Sequence, residues 1–450
     1  MKFMKFGKAL LTGALSLGVV FGVSSCIQSY TVGFLYVTGT VTSQPNGEGK
    51  ISGFKIDHNT GQLITINTLP IGSGGANPVR AVLANGSRFL YVLNRGTNAS
   101  GTGDCTTANP CQGSNITQYE VGGNGALTFQ ETFYTQGLNP FRMVVDNSGS
   151  YLLVLDHDQP SVAGCQAALG KGVTACGDVT VFQINGTTGR LSLVLNSQAT
   201  ANAGSPIDYF PVPANPVDFV LASNYILTLT GNTTPTSYPY TGGTSVFPYS
   251  YSGSSGQLTL SQNSAQPLGI AQGNAIIDSS SNIYVLDNEP ITYTNSNNQT
   301  VTSASQILPF TVGTNGALQA QTGGIIPDDP RYSNPIQLLV TKNNYMYVAN
   351  QGNNIIGNNP ESGIAGYQLY NSPNFQAQFI SGFVGGSGSG PQCIAEDPSN
   401  QYIYEANAYD SSVTGRIQDP NSGLLNSLRV SGSYQLPGPA SWCLMDGRTD

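Results

Sequence analysis

The sequence predicts an all-β protein whose chain closes into a ring of seven four-stranded sheets, a β-propeller. Three observations lead to this prediction. Gly accounts for 55 of the 450 residues and charged residues for only 9%, a composition suited to strands joined by tight turns. No long stretch after residue 25 has the apolar period of an amphipathic helix. One apolar strand recurs seven times, starting at residues 34, 89, 151, 225, 283, 345 and 402, with starts 55 to 74 residues apart.

The first 25 residues have the features of a secretory signal. Lys2, Lys5 and Lys8 form a basic start, and an apolar run follows that is too short for a comfortable transmembrane helix. The run ends in "VSSC", which resembles a lipobox, so the resemblance implies that Cys26 becomes the acylated first residue of the mature chain. A plain signal peptide with an incidental Cys26 is the alternative. We therefore expect a signal in residues 1–25, a short tether in 26–33 and one propeller domain in 34–450.

Removing residues 1–25 takes away three of the 16 basic residues and none of the 24 acidic ones, which leaves thirteen basic residues and a net charge of −11. An acidic chain with no basic cluster argues against nucleic acid as a partner and against electrostatic docking on anionic lipid. The lipid at Cys26 would hold the protein at the outer membrane or cell surface, on the periplasmic or extracellular side.

Each recurring strand, called B, is followed by two further strands, C and D, and then by a strand A that precedes the next B. A turn of the form "TGxL" joins C to D, as in "TGQL" at 60 and "TGRL" at 188, because Gly suits a tight hairpin. The order along the chain is B-C-D, then A-B-C-D six times, then a lone A, "PASWCLMDGRTD". We expect this last strand to pair with the first B strand and to close the ring.

Six cysteines remain after Cys26, an even number in an exported chain, and they allow fifteen connectivities. Two local pairs stand out: Cys105 with Cys111, and Cys165 with Cys176. Cys393 and Cys443 lie in A strands that ring closure would make neighbours, so a disulfide between them is a hypothesis that depends on this closure.

The "LYVLN", "MYVAN" and "IYEAN" strands, the "TGxL" turns and the "NP" before strand A resemble the YVTN or lactonase family of seven-bladed propellers. That family includes 6-phosphogluconolactonase-like proteins and carboxymuconate cycloisomerases. The resemblance covers residues 34–446 and implies the fold strongly. It implies activity only weakly, because these motifs form turns and sheet positions. Family enzymes often carry a His close to the Pro of strand A, and this chain has only His58 and His157, neither of them there.

Antiparallel order places the D-to-A and B-to-C connections, which include all the long loops, on one face, called the mouth face. We expect ligands to bind there. Alignment of the A strands predicts that one residue from each blade surrounds the channel mouth: Arg80, Arg142, Asp218, Asn274, Gln337, Cys393 and Trp442. Arg80 and Arg142 could hold a carboxylate or phosphate through forked hydrogen bonds. Alternatively, they pair with Asp218 and other acids as a structural ring.

The ends of the B strands should reach the same face. They carry Arg95, Asp156, His157, Asp158, Asp287, Glu289, Asn350 and Asn407. His157 could act as a general base, with its pKa raised by the flanking carboxylates. Asp156, Asp158, Asp287 and Glu289 could instead bind Ca²⁺ through oxygen ligands. The third interpretation is that these side chains only cap loops.

Three functions fit these features. The first is an envelope module that binds a small sugar-like or anionic ligand, a glycan or a partner protein, without a required cofactor. The second is a hydrolase that opens a sugar lactone, in which Arg80 and Arg142 stabilise the oxyanion and His157 transfers the proton. The third is a structural lipoprotein. Sugar-phosphate lactones are cytoplasmic metabolites in that family, which does not match an exported chain.

Overall fold

The computed structural model describes residues 30–41, 47–100, 105–200, 206–231, 243–261, 265–268, 270, 273–279, 282–288, 291–294, 298–303, 305–352, 362–370, 375–380 and 388–449. Cys26 and Glu289 lie outside these residues. Residues from Thr31 onward form one compact unit. Within the described part of the chain, no helix has the length and apolar character needed to span a bilayer.

The seven repeats form seven antiparallel sheets, as predicted, so the chain is a seven-bladed β-propeller. Blade 1 contains β1 (Thr31–Gly39), β2 (Glu48–Asp57), β3 (Leu63–Thr65) and β4 (Ile71–Ala76). Blade 2 contains β5 (Pro78–Ala84), β6 (Phe89–Asn94), β7 (Asn115–Val121) and β8 (Leu127–Phe133). Blade 3 contains β9 (Leu138–Val145), β10 (Tyr151–Asp158), α1 (Val162–Leu169), β11 (Cys176–Ile184), β12 (Leu191–Leu193) and β13 (Phe210–Pro213).

The remaining four blades follow the same plan. Blade 4 contains β14 (Pro216–Ala222), β15 (Tyr225–Thr230), β16 (Ser245–Ser252), β17 (Gln257–Leu260) and β18 (Gln266–Pro267). Blade 5 contains β19 (Gly273–Ser279), β20 (Asn282–Asp287), the hairpin β21 (Ile291–Thr294) and β22 (Thr300–Ser303), then β23 (Gln306–Val312), β24 (Leu318–Ala320) and β25 (Ile326–Pro327). Blade 6 contains β26 (Pro335–Val340), β27 (Tyr345–Asn350), β28 (Gly363–Tyr370) and β29 (Gln376–Phe379). Blade 7 contains β30 (Pro391–Glu396), β31 (Tyr402–Asn407), β32 (Ser412–Gln418), β33 (Leu425–Ser427) and β34 (Ser433–Gln435), and the last strand of the chain is β35 (Ala440–Asp446).

The B strands form the core because both of their faces are covered by neighbouring blades. Every residue of β6 and of β27 is buried. Strands buried on both faces read as nearly continuous apolar runs rather than as an alternation, which explains why "FLYVLN" and "YMYVAN" are the most visible part of the repeat. The D strand is less regular than predicted. In blades 1, 3, 4, 5 and 7 a second short strand pairs with the other half of strand C.

The Tyr of strand B and the Gly of the C-to-D turn form a repeated contact between adjacent blades. The Tyr36 hydroxyl donates to the carbonyl oxygen of Gly125 at 2.8 Å, and Tyr347 donates to Gly423 at 2.7 Å. Tyr91 makes the same bond to Gly189, which has a φ of 71°. A Cβ on Gly189 would lie 2.6 Å from the Phe89 ring. Glycine is therefore required both by the left-handed backbone and by the packing of the preceding blade.

The ring closes as predicted. Strand β35 pairs with β1, with Val37 opposite Cys443 and Thr38 opposite Trp442, so both ends of the domain form blade 1. Strand β1 begins at Thr31, so the first strand includes three residues that the sequence assigned to the tether. The three disulfides join the expected pairs. The Cys393–Cys443 bond links the innermost strands of blades 7 and 1.

Candidate functional site

A β-bulge near the start of each A strand positions the side chains of the channel. Asn77, Asn139, Asn215 and Asn334 have φ values between 51° and 59°, and each directly precedes the Pro at or near the start of an A strand. The pairing register then shifts, for example between Pro78 and Arg80. Bulges redirect the next side chain, and here they turn the second residue after each Pro toward the centre of the ring.

The bulge in blade 5 corrects one member of the predicted ring. Blade 5 has Gly273 where other blades have Pro, and its register shift lies between Gly273 and Ala275. Ala275 therefore occupies the position expected for Asn274. The Asn274 amide instead donates to Asn334 Oδ1 and to the Pro335 carbonyl oxygen, both at 3.1 Å.

The A strands enclose a cavity of about 220 Å³ in the centre of the ring. Its polar lining residues are Arg80, Arg142, Asp218, Asp278 and Gln337, and Trp442 adds an aromatic surface. Valine, isoleucine and leucine side chains form much of the rest of the wall. Cys393 does not line the cavity, because its side chain is buried in the disulfide with Cys443. The cavity is thus an apolar channel with a few polar groups, the usual character of a small-molecule site.

Arg142 and Asp218 form a buried ion pair. Arg142 Nε donates to Asp218 Oδ1 at 3.0 Å, and the Asp218 side chain is 7% exposed. The same carboxylate accepts the backbone N–H groups of Phe219 at 2.9 Å and Ile276 at 3.2 Å. Asp218 therefore accepts three hydrogen bonds within the protein, and it fixes Arg142 in one orientation. This arrangement fits the structural alternative for this pair.

Arg80 has a different environment. Its guanidinium carbon lies 3.5 Å from the centre of the Trp442 ring, close enough for a cation–π interaction. Among the described residues, no carboxylate oxygen lies within 4 Å of this guanidinium, and it makes no hydrogen bond there. Burial, with a further contribution from the charge of Arg142, lowers the pKa of Arg80 to about 9. Arg80 is still protonated at pH 7, so the channel holds a positive charge without a paired acid.

Gln337 is held by the neighbouring blade. Its side-chain oxygen accepts the backbone N–H of Ile394 at 2.6 Å. This bond orients the side chain, so its amide N–H₂ group remains as a hydrogen-bond donor for the cavity. The ring therefore presents two guanidinium groups and one amide at the same level.

His157 does not line the cavity. Its Nδ1 lies 3.1 Å from Asp158 Oδ1, and its ring packs 6.2 Å from the ring of Phe141, measured between centres. Asp158 also accepts from Asn139 at 2.6 Å and from Thr107 at 2.8 Å. Burial raises the pKa of Asp158, but the hydrogen bonds from His157, Asn139 and Thr107 outweigh it and lower the pKa overall. His157 therefore belongs to a loop-fixing network, and the geometry does not place it with Arg80 and Arg142.

The other B-strand ends also lie away from the cavity. Asp156, Asp287, Asn350 and Asn407 are completely buried inside their own blades. Asp287 accepts from Gln306, and Asn407 donates to Ser412 and Thr414. Arg95 is half-buried, and its guanidinium donates to the Cys105 carbonyl oxygen at 3.5 Å. Within the described ranges, no three His, Cys, Asp or Glu side chains come together to hold a metal ion.

One pair of acids was not foreseen from the sequence. Asp156 lies directly opposite Asp178 across β10 and β11, and both are completely buried. Burial raises the pKa of Asp156 to about 7, although hydrogen bonds from Thr135 and Thr180 oppose the shift. Burial and the Asp156 charge raise the pKa of Asp178 as well. At the equivalent positions, blade 2 has two amides, Asn94 opposite Asn115. The replacement of these amides by two acids in blade 3 is the sequence feature that could have revealed the pair.

Comparisons with known proteins agree with this fold. Residues 48–208 match the family model described as lactonase, 7-bladed β-propeller. This match confirms the predicted resemblance to the lactonase family. No curated protein sequence matches the chain significantly.

Solved structures resemble nearly the whole chain. The periplasmic gluconolactonase PpgL of Pseudomonas aeruginosa has a TM-score of 0.60 and 17% identity, covering 93% of this chain and 99% of that one. A proposed 6-phosphogluconolactonase of Bacteroides fragilis has a TM-score of 0.61 and 14% identity, covering 92% and 98%. Another from Bacteroides uniformis has a TM-score of 0.59 and 14% identity, covering 92% and 99%. At these identities the likeness shows the propeller fold alone.

Proposed function

We propose that the central channel binds a small organic acid or its lactone, with Arg80 as the main contact for the anionic or carbonyl oxygen. The observation that carries this proposal is the unpaired guanidinium of Arg80. Trp442 supports one face of it, so the N–H donors at its edge can form a fork with a carboxylate. Arg142 and Gln337 line the same cavity and can supply further donors.

Electrostatics favour an anion over a neutral ligand. Asp218 compensates one of the two guanidinium groups, so one positive charge remains at this level of the channel. The neighbouring Arg142 charge lowers the pKa of Arg80, which means that the two cations repel each other. An anion placed between them relieves that repulsion, and the partly enclosed site strengthens the attraction relative to bulk water.

The chain offers a direct assay, because Trp442 is its only tryptophan and lines the cavity. Fluorescence excited selectively at tryptophan should change on titration with D-gluconate, D-glucono-δ-lactone or hexanoate, and glucose serves as the uncharged control. Arg80→Gln should weaken the acids at least tenfold, the loss expected for a charge-assisted hydrogen-bonded pair. Arg88→Gln is the matched control, since Arg88 also lies over an aromatic ring but sits on the surface, with its side chain 49% exposed. If none of these acids and lactones changes the fluorescence or the melting temperature of the wild type, the proposal is wrong.

The second candidate is hydrolysis of a sugar lactone, which the family match over residues 48–208 favours. The channel contains donors that could stabilise an oxyanion, but His157 lies elsewhere and Asp218 is occupied. Binding therefore has more support than turnover. Titration of the acid released from glucono-δ-lactone or an acyl lactone, compared with buffer alone and with Arg142→Lys, separates the two. Turnover that is retained in His157→Ala but lost in Arg142→Lys would assign catalysis to the channel.

We also propose that the chain is exported and anchored by lipid at Cys26. The basic and apolar segments of residues 1–25 support this proposal, and so do three disulfides, which persist in oxidising compartments. Cys26→Ser should move the protein from the detergent phase to the aqueous phase in Triton X-114 partitioning. An envelope protein or a glycan could then reach the mouth face.

Ca²⁺ binding also remains a prediction, and melting temperatures measured with and without a chelator can test it.

A further inference from the structure

The cavity has a second polar end, which the binding proposal does not use. Arg80, Arg142 and Gln337 each lie two residues after the Pro of their A strand, near the mouth face. Asp278 lines the same cavity three residues beyond Ala275 on β19. At the rise of an extended strand, this places Asp278 about 10 Å further along the channel than the level of the guanidinium groups.

Asp278 has no compensating partner. No described residue forms an ion pair or a hydrogen bond with its carboxylate. It is exposed at the end of the cavity, and the partial burial around it raises its pKa. No ion pair joins it to Arg80 or Arg142, so the cavity holds an unpaired cation at one end and an unpaired carboxylate at the other.

The wall between these two levels is apolar. Val144, Val220 and Ile277, each two residues beyond the level of the guanidinium groups on its strand, are partly exposed to the cavity. A ligand that follows the channel would contact these side chains with its middle, and a polyhydroxylated middle would lose its hydrogen bonds to water without gaining partners there. The wall therefore favours a methylene spacer.

We propose that the channel selects an elongated amphoteric ligand, with a carboxylate at Arg80, an apolar spacer along the wall and an amine at Asp278. This inference rests on the proposed function, because it assumes that the Arg80 end binds a carboxylate. The expected ligands are ω-amino acids of six to eight carbons, because an extended chain gains roughly 1.2 Å per bond and eight bonds span about 10 Å.

The test compares ligands of graded length in the Trp442 fluorescence titration. γ-Aminobutyrate, ε-aminohexanoate and ω-aminooctanoate are measured beside butyrate, hexanoate and octanoate, the same acids without the amine. The amine should raise affinity about tenfold for the two longer chains, and it should have no effect on the shortest one, which cannot reach Asp278.

Asp278→Asn should remove the advantage of the amine and leave the affinity for octanoate unchanged. Glu396→Gln is the matched control, because Glu396 occupies the same register position on β30 and does not line the cavity. If octanoate binds but ω-aminooctanoate binds no better, this inference fails and the binding proposal stands. If the amine advantage persists in Asp278→Asn, the inference also fails. If no carboxylate binds at all, the binding proposal itself fails.

Discussion

Removing the Cys393–Cys443 disulfide by alanine at both positions should lower the free energy of unfolding by about 4 kcal/mol. The two cysteines are separated by 50 residues in the sequence, and their bond joins the innermost strands of blades 7 and 1. In the chain-entropy model, the cross-link restricts the unfolded chain in proportion to the logarithm of the loop length. For a domain of this size, with an unfolding entropy of roughly 0.9 kcal/mol/K, the loss corresponds to about 5 °C in Tm.

The Cys165–Cys176 bond provides the matched control. Its sequence separation is 11, for which the same model gives about 3 kcal/mol. All four sulfurs belong to buried residues, so the cost of the small cavities left by alanine is similar in the two pairs. The difference of about 1 kcal/mol between the two double variants therefore reports loop length alone.

The measurement is urea unfolding followed by far-UV circular dichroism and by Trp442 fluorescence, whose transitions should coincide. Alanine at Cys393 and Cys443 should lower the midpoint more than alanine at Cys165 and Cys176, with equal slopes. Equal midpoints for the two variants, or the reverse order, would refute the reasoning that this disulfide acts as a long-range clasp.

Three further predictions concern packing, pH and ring closure. Gly189→Ala should lower the free energy of unfolding by at least 1 kcal/mol, because Gly189 has a positive φ and an added Cβ would clash with the Phe89 ring. Gly186→Ala is the control and should not change stability in the same thermal melts, because a Cβ there contacts nothing. Equal effects of the two substitutions would contradict this reasoning. The folded pKa of Asp156, about 7, exceeds its unfolded value, so its stabilising effect is complete below about pH 4 and is lost as the pH rises toward and through 7. Asp156→Asn should therefore flatten the decline of Tm between pH 5 and 8, and an unchanged pH profile would count against the shared burial of these acids. Deleting residues 439–450 removes β35 and should lower Tm more than loss of the disulfide does; a smaller effect would mean that β1 does not need this strand.

The fold could be predicted because its signals are local. The Gly of the "TGxL" turn indicates a left-handed backbone, and the apolar run of strand B indicates burial on both faces. Both signals can be recognised without knowing how distant parts of the chain pack. Ring closure by the last strand could be predicted by counting the A, B, C and D strands along the chain. Asn274 was misplaced because blade 5 lacks the Pro that fixes the register elsewhere, and the bulge after Gly273 depends on pairing with β20.

The candidate site was harder to predict, because side-chain direction depends on where a strand ends. The sequence predicts that the end of a B strand carries Asp156, His157 and Asp158 to the mouth face. In the structure β10 continues to Asp158, which pairs with Leu138, so the three side chains alternate between the faces of the blade. Asp156 and Asp158 are buried and His157 is partly exposed on the opposite side. No local pattern reveals whether a neighbouring strand extends far enough to impose this alternation.

Ring closure and assembly of the channel depend on the same strand. Trp442 and Cys443 are adjacent on β35, and alternation along a strand turns their side chains to different sides. Cys443 bonds to blade 7, while Trp442 supports Arg80 of blade 2. An aromatic face suits this position better than a carboxylate would, because it holds the guanidinium in place without occupying the N–H donors that a ligand needs. Trp442→Leu should therefore weaken binding of hexanoate, measured by thermal shift, while Trp442→Phe should retain much of it. Equal affinity in the two variants would mean that Arg80 does not depend on an aromatic support.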